Sequence, residues 1–226
     1  ADLGHTAEYN HEFWRKFRNA VKEANPDALI LAEHYGDPSS WLQGDQWDSV
    51  MNYDAFMEPV TWFLTGMEKH SDSYNSSLWG SGEAFFESMR YHMSRMQTNT
   101  VLTAMNQLSN HDHSRFLTRT NQVVGRTATA GPEKAEENVQ LCVLRQAVVI
   151  QMTWPGAPTF YYGDEAGVCG WTDPDSRRTY PWGKENLELI EFHRYLTGLR
   201  RRYPVFRKGS LKKLFAGSHQ IAYGRM

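Results

Sequence analysis

The chain has 226 residues, of which 40% are hydrophobic, so it is long enough to bury a sizeable core in one large domain or two small ones. Its 24 basic and 26 acidic residues give a net charge of −2. This balance provides no electrostatic case for binding nucleic acid or an anionic membrane surface, and no apolar stretch of the sequence reaches transmembrane length.

Helices and short apolar strands alternate along the first half of the chain. Apolar residues recur at intervals of three and four from Tyr9 to Ala24, which predicts an amphipathic helix that ends at Asn25-Pro26. The run ALILAE at 28–33 is short and apolar up to its last residue, as expected for a strand that is buried on both faces. The elements predicted after it are a strand at 49–53, a helix at 83–97 and a strand at 101–108.

The second half continues the same alternation. Pro132 stands at the first position of a predicted helix that extends to about Met152. The elements predicted after it are a strand at 158–162, a helix at 186–203 and, over 205–226, alternation typical of an antiparallel sheet. Because apolar strands alternate with helices, we predict an α/β fold of parallel strands with right-handed crossovers. An eight-stranded barrel and a doubly wound sheet both satisfy this pattern.

Two carboxylates stand at the carboxyl ends of predicted strands. Glu33 is the last residue of the first strand, and Asp112 lies just past the end of the third. In barrels and in open parallel sheets, active sites form at this end of the strands. Glycoside hydrolysis needs one carboxyl group held protonated and a second held charged, and two such acids could supply both. The alternative is that each acid caps its strand or pairs with a nearby cation.

The segment after the third strand also carries two histidines. His111 and His113 would point to one face of an extended segment, and a third ligand such as His34 would complete a metal site. No ordinary zinc spacing is present, so we predict no metal site. Several loop aromatics suit stacking on the apolar faces of sugars, although each could instead pack over the core. They are Tyr35, Trp41, Trp47, Trp171 and Trp182.

Four motifs occur in the order in which they occur in the alpha-amylase family, and the chain resembles that family over nearly its whole length. They are LAEHYGD at 31–37, DSVMNYDAF at 48–56, LSNHDHSRF at 108–116 and PGAPTFYYGDEAGVCGWTDPDSRRTYPW at 155–182. The last motif is long and specific, and the NHD triplet supports it. Within the family, the chain looks most similar to the branch of neopullulanases, cyclomaltodextrinases and maltogenic amylases.

The resemblance implies a fold. Residues 1–204 would form the second half, strands five to eight, of a (β/α)8 TIM barrel, and residues 205–226 would begin a C-terminal β-sandwich domain. The chain starts without an initiator Met and stops within strand-like alternation, so we expect it to be part of a longer protein. Half a barrel leaves strand edges and a helix layer uncovered, so we also expect the isolated chain to self-associate.

The resemblance also implies roles for individual residues. Glu33 matches the family's general acid/base, and Asp112 matches the carboxylate that stabilises the transition state. The residues assigned to substrate binding are His111, Asp173, Arg177, Tyr53 and, as a supporting residue, Arg115. The implied partner is an α-glucan oligosaccharide or polysaccharide. No nucleic acid, membrane, metal ligand or cofactor is implied, and calcium in the longer protein is left open.

The family's nucleophile is an aspartate in a GxRxD motif, which homologous spacing places just before Ala1; Asp2 is not assigned this role. The implied function of the longer protein is retaining hydrolysis of α-1,4-glucosidic bonds in maltodextrins, cyclodextrins or pullulan, and the isolated chain is expected to be inactive. Two alternatives stay open: a glucanotransferase or isomerase that uses the same site, and a non-catalytic amylase-like domain that only binds.

Overall fold

The computed structural model describes residues 3–226, so Asp2 lies outside the described residues. The α-helices are α1 (Ala7–Ala24), α2 (Glu58–Thr65), α3 (Gly82–Met93), α4 (Thr98–Thr103), α5 (Phe116–Arg119), α6 (Thr127–Ala130), α7 (Leu141–Thr153), α8 (Leu187–Arg202) and α9 (Val205–Lys208). The β-strands are β1 (Leu31–Ala32), β2 (Ser49–Val50), β3 (Met105–Gln107), β4 (Ala157–Thr159), β5 (Leu211–Gly217) and β6 (Gln220–Arg225). Within residues 3–226, no helix combines the length and the apolar character that crossing a membrane requires.

The strands β1 to β4 form a parallel array whose spatial order follows the chain order. β1 pairs with β2 through Leu31 and Ser49, and β3 pairs with β4 through Met105 and Ala157. A parallel bridge between Met51 and Met105 joins the two pairs. Segments of a barrel have this sequential order, whereas a doubly wound sheet reverses its order at a switch point. The predicted α/β fold with parallel strands is confirmed.

A buried amide network holds β2, β3 and β4 in register. Asn52 Nδ2 donates to Asn106 Oδ1 at 2.8 Å, and Asn106 Nδ2 donates to the Pro155 carbonyl at 2.8 Å. Gln151 of α7 donates to the Asn106 carbonyl at 2.9 Å. A Cβ at Gly156 would lie 2.3 Å from Asn106 Nδ2, so the close approach of the two segments requires glycine there. These bonds satisfy amide groups whose burial without partners would be costly.

The predicted strand at 101–108 is wrong in its first half. Residues Thr98–Thr103 form α4, and the strand covers only Met105–Gln107. Val101 is buried and Thr103 is exposed, which is the burial pattern of a helical turn that packs on one side. A short apolar run fits a buried strand and such a turn equally well, so periodicity alone did not separate them.

The predicted helix from Pro132 to Met152 is divided in two. Pro132–Ala135 forms a 3₁₀ turn, and α7 begins only at Leu141. Asn138 lies between them with a φ of 55°, a left-handed conformation that ends a helix. Gln140, at the start of α7, donates its backbone N–H to Thr120 Oγ1 at 2.8 Å. A tertiary contact therefore sets where α7 begins.

The main hydrophobic core lies between α2, α3, α7 and α8. Its largest buried side chains include Phe56, Phe85, Phe116, Trp154 and Trp171. A smaller cluster around β1 and β2 receives Trp14 of α1. The aromatic residues of the predicted apolar stripe of α1 are exposed; they are Tyr9, Phe13 and Phe17. One face of α1 and the outer side of β1 are thus left uncovered by the described residues.

The C-terminal segment forms the antiparallel hairpin β5–β6 that the alternation predicted, although Val205–Lys208, at the start of the predicted range, is helical. The hairpin packs onto the rest of the chain. Tyr223 contacts the Trp154 ring with a centroid separation of 4.9 Å, and its hydroxyl lies 2.6 Å from Thr153 Oγ1. Arg225 donates to the Thr153 carbonyl at 2.6 Å. A domain boundary between 204 and 205 stays a prediction.

Candidate active site

The carboxyl ends of β1 and β3 bring three titratable side chains together. Glu33 directly follows β1, and His111 and Asp112 lie in the turn after β3. His111 Nε2 is 3.4 Å from Glu33 Oε1 and 3.4 Å from Asp112 Oδ1. The side chains of Glu33 and Asp112 are 42% and 39% exposed. An imidazole therefore stands between two carboxylates that a ligand from solvent can reach.

Asn110 shapes the turn that presents these groups. Its Oδ1 accepts hydrogen bonds from the backbone N–H groups of Asp112, at 3.0 Å, and His113, at 2.9 Å. Such a side chain replaces a backbone acceptor in an Asx turn. The turn leaves Asp112 partly exposed and His113 buried. This role of Asn110 was not predicted, although an Asn that follows a strand and stands two residues before the acid is a signal for it.

Tyr53 lies beneath the site and contacts it through its hydroxyl group. Its ring is buried, and its hydroxyl donates to Glu33 Oε1 at 3.3 Å and accepts from Asn110 Nδ2 at 3.1 Å. Burial, together with the nearby Tyr35 and Glu33, raises the pKa of the Tyr53 hydroxyl, which therefore stays a donor at neutral pH. The structure places Tyr53 against the proposed acid; a direct contact with a sugar stays a prediction.

The loop at 170–178 borders the site on another side. The backbone N–H of Asp173 donates to the Asp112 carbonyl at 3.2 Å, and Ser176 Oγ donates to the His111 carbonyl at 2.9 Å. Arg177 forms an ion pair with Asp173, and its Nη2 lies 3.9 Å from Asp112 Oδ1. The structure thus places Asp173 and Arg177, both predicted to bind substrate, beside Asp112.

Arg115 lies apart from the solvent-facing groups. Its side chain is fully buried, with Nη1 3.0 Å from Asp164 Oδ1 and 2.7 Å from the Tyr162 carbonyl. Its Nε donates to the Ser176 carbonyl at 2.8 Å, and the guanidinium lies 4.0 Å from the centroid of the Tyr161 ring. A buried guanidinium presents no surface to a sugar. We therefore interpret Arg115 as a residue that anchors the 170–178 loop, not as the substrate contact that the resemblance implied.

His113 points into the protein beneath the site. It is fully buried, and its Nε2 lies 3.1 Å from the Tyr35 hydroxyl. Its ring forms T-shaped contacts with the rings of Tyr53 and His70. Burial, reinforced by the nearby basic residues His70, Arg119 and Lys69, lowers the pKa of His113 to about 2. The imidazole is therefore neutral at any ordinary pH.

The three histidines considered as metal ligands do not converge. His113 faces Tyr35, and His34 packs against Trp41 at a centroid separation of 4.8 Å. In the described part of the chain, two groups hold carboxylate and imidazole atoms within 4.8 Å of one another. They are Glu33–His111–Asp112 and Glu68–His70–Asp72. The acids of the second group already have partners, since Glu68 contacts His70 and Asp72 forms an ion pair with Arg126.

The loop aromatics divide between core and surface. Trp47 and Trp171 are buried and belong to the packing of the core. Trp41 is half-buried and stacks on Trp47 at 5.1 Å, and Trp182 is 82% exposed. Tyr35 is 48% exposed and lies within the site, two residues after Glu33. Of the five candidates, Tyr35 has the position from which a ring can face a ligand at the two acids.

A groove of about 730 Å³ lies elsewhere, between α3, α4 and β5. Its walls include Phe86, Met89, Met93 and Leu211, and none of the residues assigned above to catalysis or substrate binding lines it. The groups able to perform chemistry therefore lie at the strand ends and not in this apolar groove.

Comparison with protein families agrees with the geometry. The family model described as "Alpha amylase, catalytic domain" matches residues 4–202. Among curated proteins, neopullulanase 2 of Thermoactinomyces vulgaris is 37% identical over 96% of this chain and 32% of its own length. A cyclomaltodextrinase of Thermoanaerobacter pseudethanolicus is 36% identical over 96% of this chain and 33% of its own length. The chain thus spans about a third of the length of these two relatives.

Solved structures give the same result. A debranching enzyme of Nostoc punctiforme superposes with a TM-score of 0.78 at 31% identity, over 95% of this chain and 41% of that one. A cyclomaltodextrinase superposes with a TM-score of 0.79 at 32% identity, over 96% of this chain and 33% of that one. The arrangement of helices and strands in this chain is therefore that of alpha-amylase-family TIM-barrel enzymes.

The neutral state of His113 predicts how stability depends on pH. Its ordinary pKa is 6.5, whereas in the folded chain it is about 2, so below pH 6.5 the unfolded chain binds a proton that the folded chain does not. The stability contributed by the neutral imidazole is complete above pH 6.5 and is lost as pH falls below it. We expect the free energy of unfolding, relative to that of His113→Gln, to drop by about 2 kcal/mol between pH 7 and pH 5. Urea unfolding of both proteins at each pH measures this difference, and parallel pH profiles would contradict it.

Proposed function

Because this chain belongs to the alpha-amylase family, we propose that its protein hydrolyses α-1,4-glucosidic bonds in maltodextrins, cyclodextrins or pullulan with retention of configuration. The observation that carries the proposal is the convergence of Glu33 and Asp112, with His111 between them, at the solvent-facing ends of parallel strands. Relatives named neopullulanase and cyclomaltodextrinase support the choice of substrate class.

Glu33 is the proposed general acid and base. Tyr53 donates to one of its carboxyl oxygens, which leaves the second oxygen to carry the proton that the leaving sugar oxygen receives. After the leaving group departs, the ionised carboxylate draws a proton from the attacking water. No metal or organic cofactor is required for these proton transfers.

Asp112 is proposed to remain charged and to stabilise the oxocarbenium-like transition state. Arg177 Nη2 lies 3.9 Å from Asp112 Oδ1, so a guanidinium borders this carboxylate. His111 is close enough to both acids to donate to either, and we propose that it instead donates to a sugar hydroxyl when substrate is bound. Asp173 and Arg177, both exposed at the rim, are proposed to contact sugars further from the cleaved bond.

The retaining reaction also requires a nucleophilic carboxylate. The GxRxD motif that carries it in the family does not occur in this sequence, so we propose that a residue outside the 226 supplies it. The sequential order of β1 to β4 supports the assignment of residues 1–204 to strands five to eight of a barrel. The β5–β6 hairpin would then begin a C-terminal all-β domain.

Replacing the proposed acid tests the function. We expect Glu33→Gln in the full-length protein to reduce reducing-sugar release from β-cyclodextrin and maltotriose by at least ~10²–10⁴-fold, because an amide cannot donate a proton to the leaving oxygen. Glu23→Gln, the same chemical change at an exposed position of α1, is the matched control and should keep full activity.

Other outcomes of this assay have defined meanings. Longer oligosaccharides from maltotriose would indicate a glucanotransferase on the same site. Binding without any turnover would indicate a non-catalytic amylase-like domain. We predict no turnover by the 226-residue chain alone; activity of that chain that depends on Glu33 would show that another of its carboxylates is the nucleophile.

We further propose that the 226-residue chain self-associates when it is alone. Within the described residues, β1 has a pairing partner on one side only, and Leu31 of the strand and Leu29 just before it are exposed. The aromatic face of α1, with Phe13 and Phe17, is exposed as well. Uncovered strand edges and apolar faces favour association with another chain.

Light scattering tests this proposal. We expect the isolated chain to be a dimer or larger at micromolar concentration, and we expect Phe13→Ser combined with Phe17→Ser to shift it toward the monomer. Tyr195→Ser removes an exposed aromatic ring from α8 and serves as the control that should leave the assembly unchanged. A monodisperse monomer of the unmodified chain would count against self-association.

A further inference from the structure

We propose that His113 is a positioning residue for sugar binding, which from inside the protein holds the Tyr35 ring in place as a wall of the cleft beside Glu33. Its effect on turnover rests on the proposed function. The ordering of the exposed Tyr35 ring by His113 does not depend on that function.

Tyr35 is unusually constrained for an exposed aromatic residue. One face of its ring stacks on Tyr53, with centroids 4.6 Å apart and an interplanar angle of 15°. Its hydroxyl lies 3.1 Å from His113 Nε2, and Lys69 Nζ lies 5.7 Å from its ring centroid. The ring nevertheless remains 48% exposed. Stacking alone would permit the ring to tilt or slide, whereas the bond at the hydroxyl defines where its far end lies.

His113 is itself held on several sides. Its backbone N–H donates to Asn110 Oδ1 at 2.9 Å, in the same turn that presents Asp112. Its ring packs at near right angles against Tyr53, at 5.3 Å, and against His70, at 4.6 Å. A single turn therefore places Asp112, the carboxylate proposed to stabilise the transition state, on its outer side and His113, which holds Tyr35, on its inner side.

The chemistry of His113 suits a fixed support. A neutral imidazole offers one donor and one acceptor, and a phenol hydroxyl can take either role, so the bond to Tyr35 forms with either tautomer. Burial and the neighbouring basic residues, which include His70, Arg119, Lys69 and His111, all disfavour a proton on the ring. The support therefore does not change across the pH range in which the enzyme would work.

A fixed ring beside the acid has a binding consequence. The apolar face of a pyranose packs on an aromatic ring, and a ring that is already ordered loses less side-chain entropy when the sugar binds. We expect His113→Leu, which removes the hydrogen bond but fills most of the space, to raise KM for β-cyclodextrin and maltotriose roughly three- to tenfold. We expect kcat to change by less than about twofold, because Glu33 and Asp112 keep their own contacts.

Four further variants of the full-length protein separate this role from general packing. His113→Gln retains a group that can bond the Tyr35 hydroxyl and should restore KM toward the unmodified value. Tyr35→Phe removes the same bond from its other end and should by itself raise KM to a similar extent. Combining Tyr35→Phe with His113→Leu should raise KM no further, because the bond is already lost. His193→Leu is the matched control: His193 is also buried, bonds the Leu189 carbonyl at 2.8 Å and packs on Phe160, so KM should stay unchanged.

The outcomes also distinguish this inference from the proposed function. An unchanged KM in His113→Leu, or KM increases that multiply in the double variant, would overturn the role of His113. If His113→Leu does not fold, His113→Gln and Tyr35→Phe decide by the same criterion. Should the unmodified protein show no turnover, the proposed function fails, and the inference is then tested by ¹⁹F NMR of 3-fluorotyrosine at position 35. A resonance shifted from that of free 3-fluorotyrosine, which moves toward the free value in His113→Leu, supports the inference, and an unchanged resonance overturns it.

Discussion

Asn110 Oδ1 accepts hydrogen bonds from two backbone N–H groups, and the geometry of the whole site follows from this pair of bonds. By bonding Asp112 and His113 together, it fixes a turn in which one side chain reaches solvent and the next enters the protein. The same amide donates to Tyr53, which in turn bonds Glu33. The two acids come from strands far apart in sequence, yet they share one connected set of hydrogen bonds.

A second set of bonds, centred on a buried charge, holds the rim in place. Arg115 pairs with Asp164 and bonds the carbonyls of Tyr162 and Ser176. Burying an ion pair costs desolvation energy that its attraction does not always recover, so the pair is better explained by specificity than by net stability. Because its partners lie in the segment after β4 and in the 170–178 loop, Arg115 sets where Asp173 and Arg177 stand relative to Asp112.

The arrangement separates the side chains that we propose to react from those that hold them in position. Glu33, His111 and Asp112 are partly exposed and close together, as a ligand that must exchange protons with them requires. Tyr53, Asn110 and His113 are buried directly beneath them and are held by hydrogen bonds or ring contacts. Preorganised groups of this kind avoid reorganisation during reaction, which is the main source of electrostatic catalysis. If the site binds a sugar as proposed, the rigidity of the layer below contributes to its affinity together with the groups that the sugar touches.

The sequence by itself determined the parallel α/β fold, the limits of α1 and α8 to within a residue or two, the antiparallel pairing of the C-terminal segment and the two acids at strand ends. These follow from local periodicity, from Asn and Pro signals and from motif order, none of which needs distant residues. Only the folded chain shows that 98–103 is helical, that Asn138 interrupts the predicted helix, that Arg115 is buried and that His113 contacts the Tyr35 hydroxyl. Each of these depends on a partner far along the chain, such as Asp164 for Arg115 and Tyr35 for His113, and spacing within a single segment carries no information about such partners.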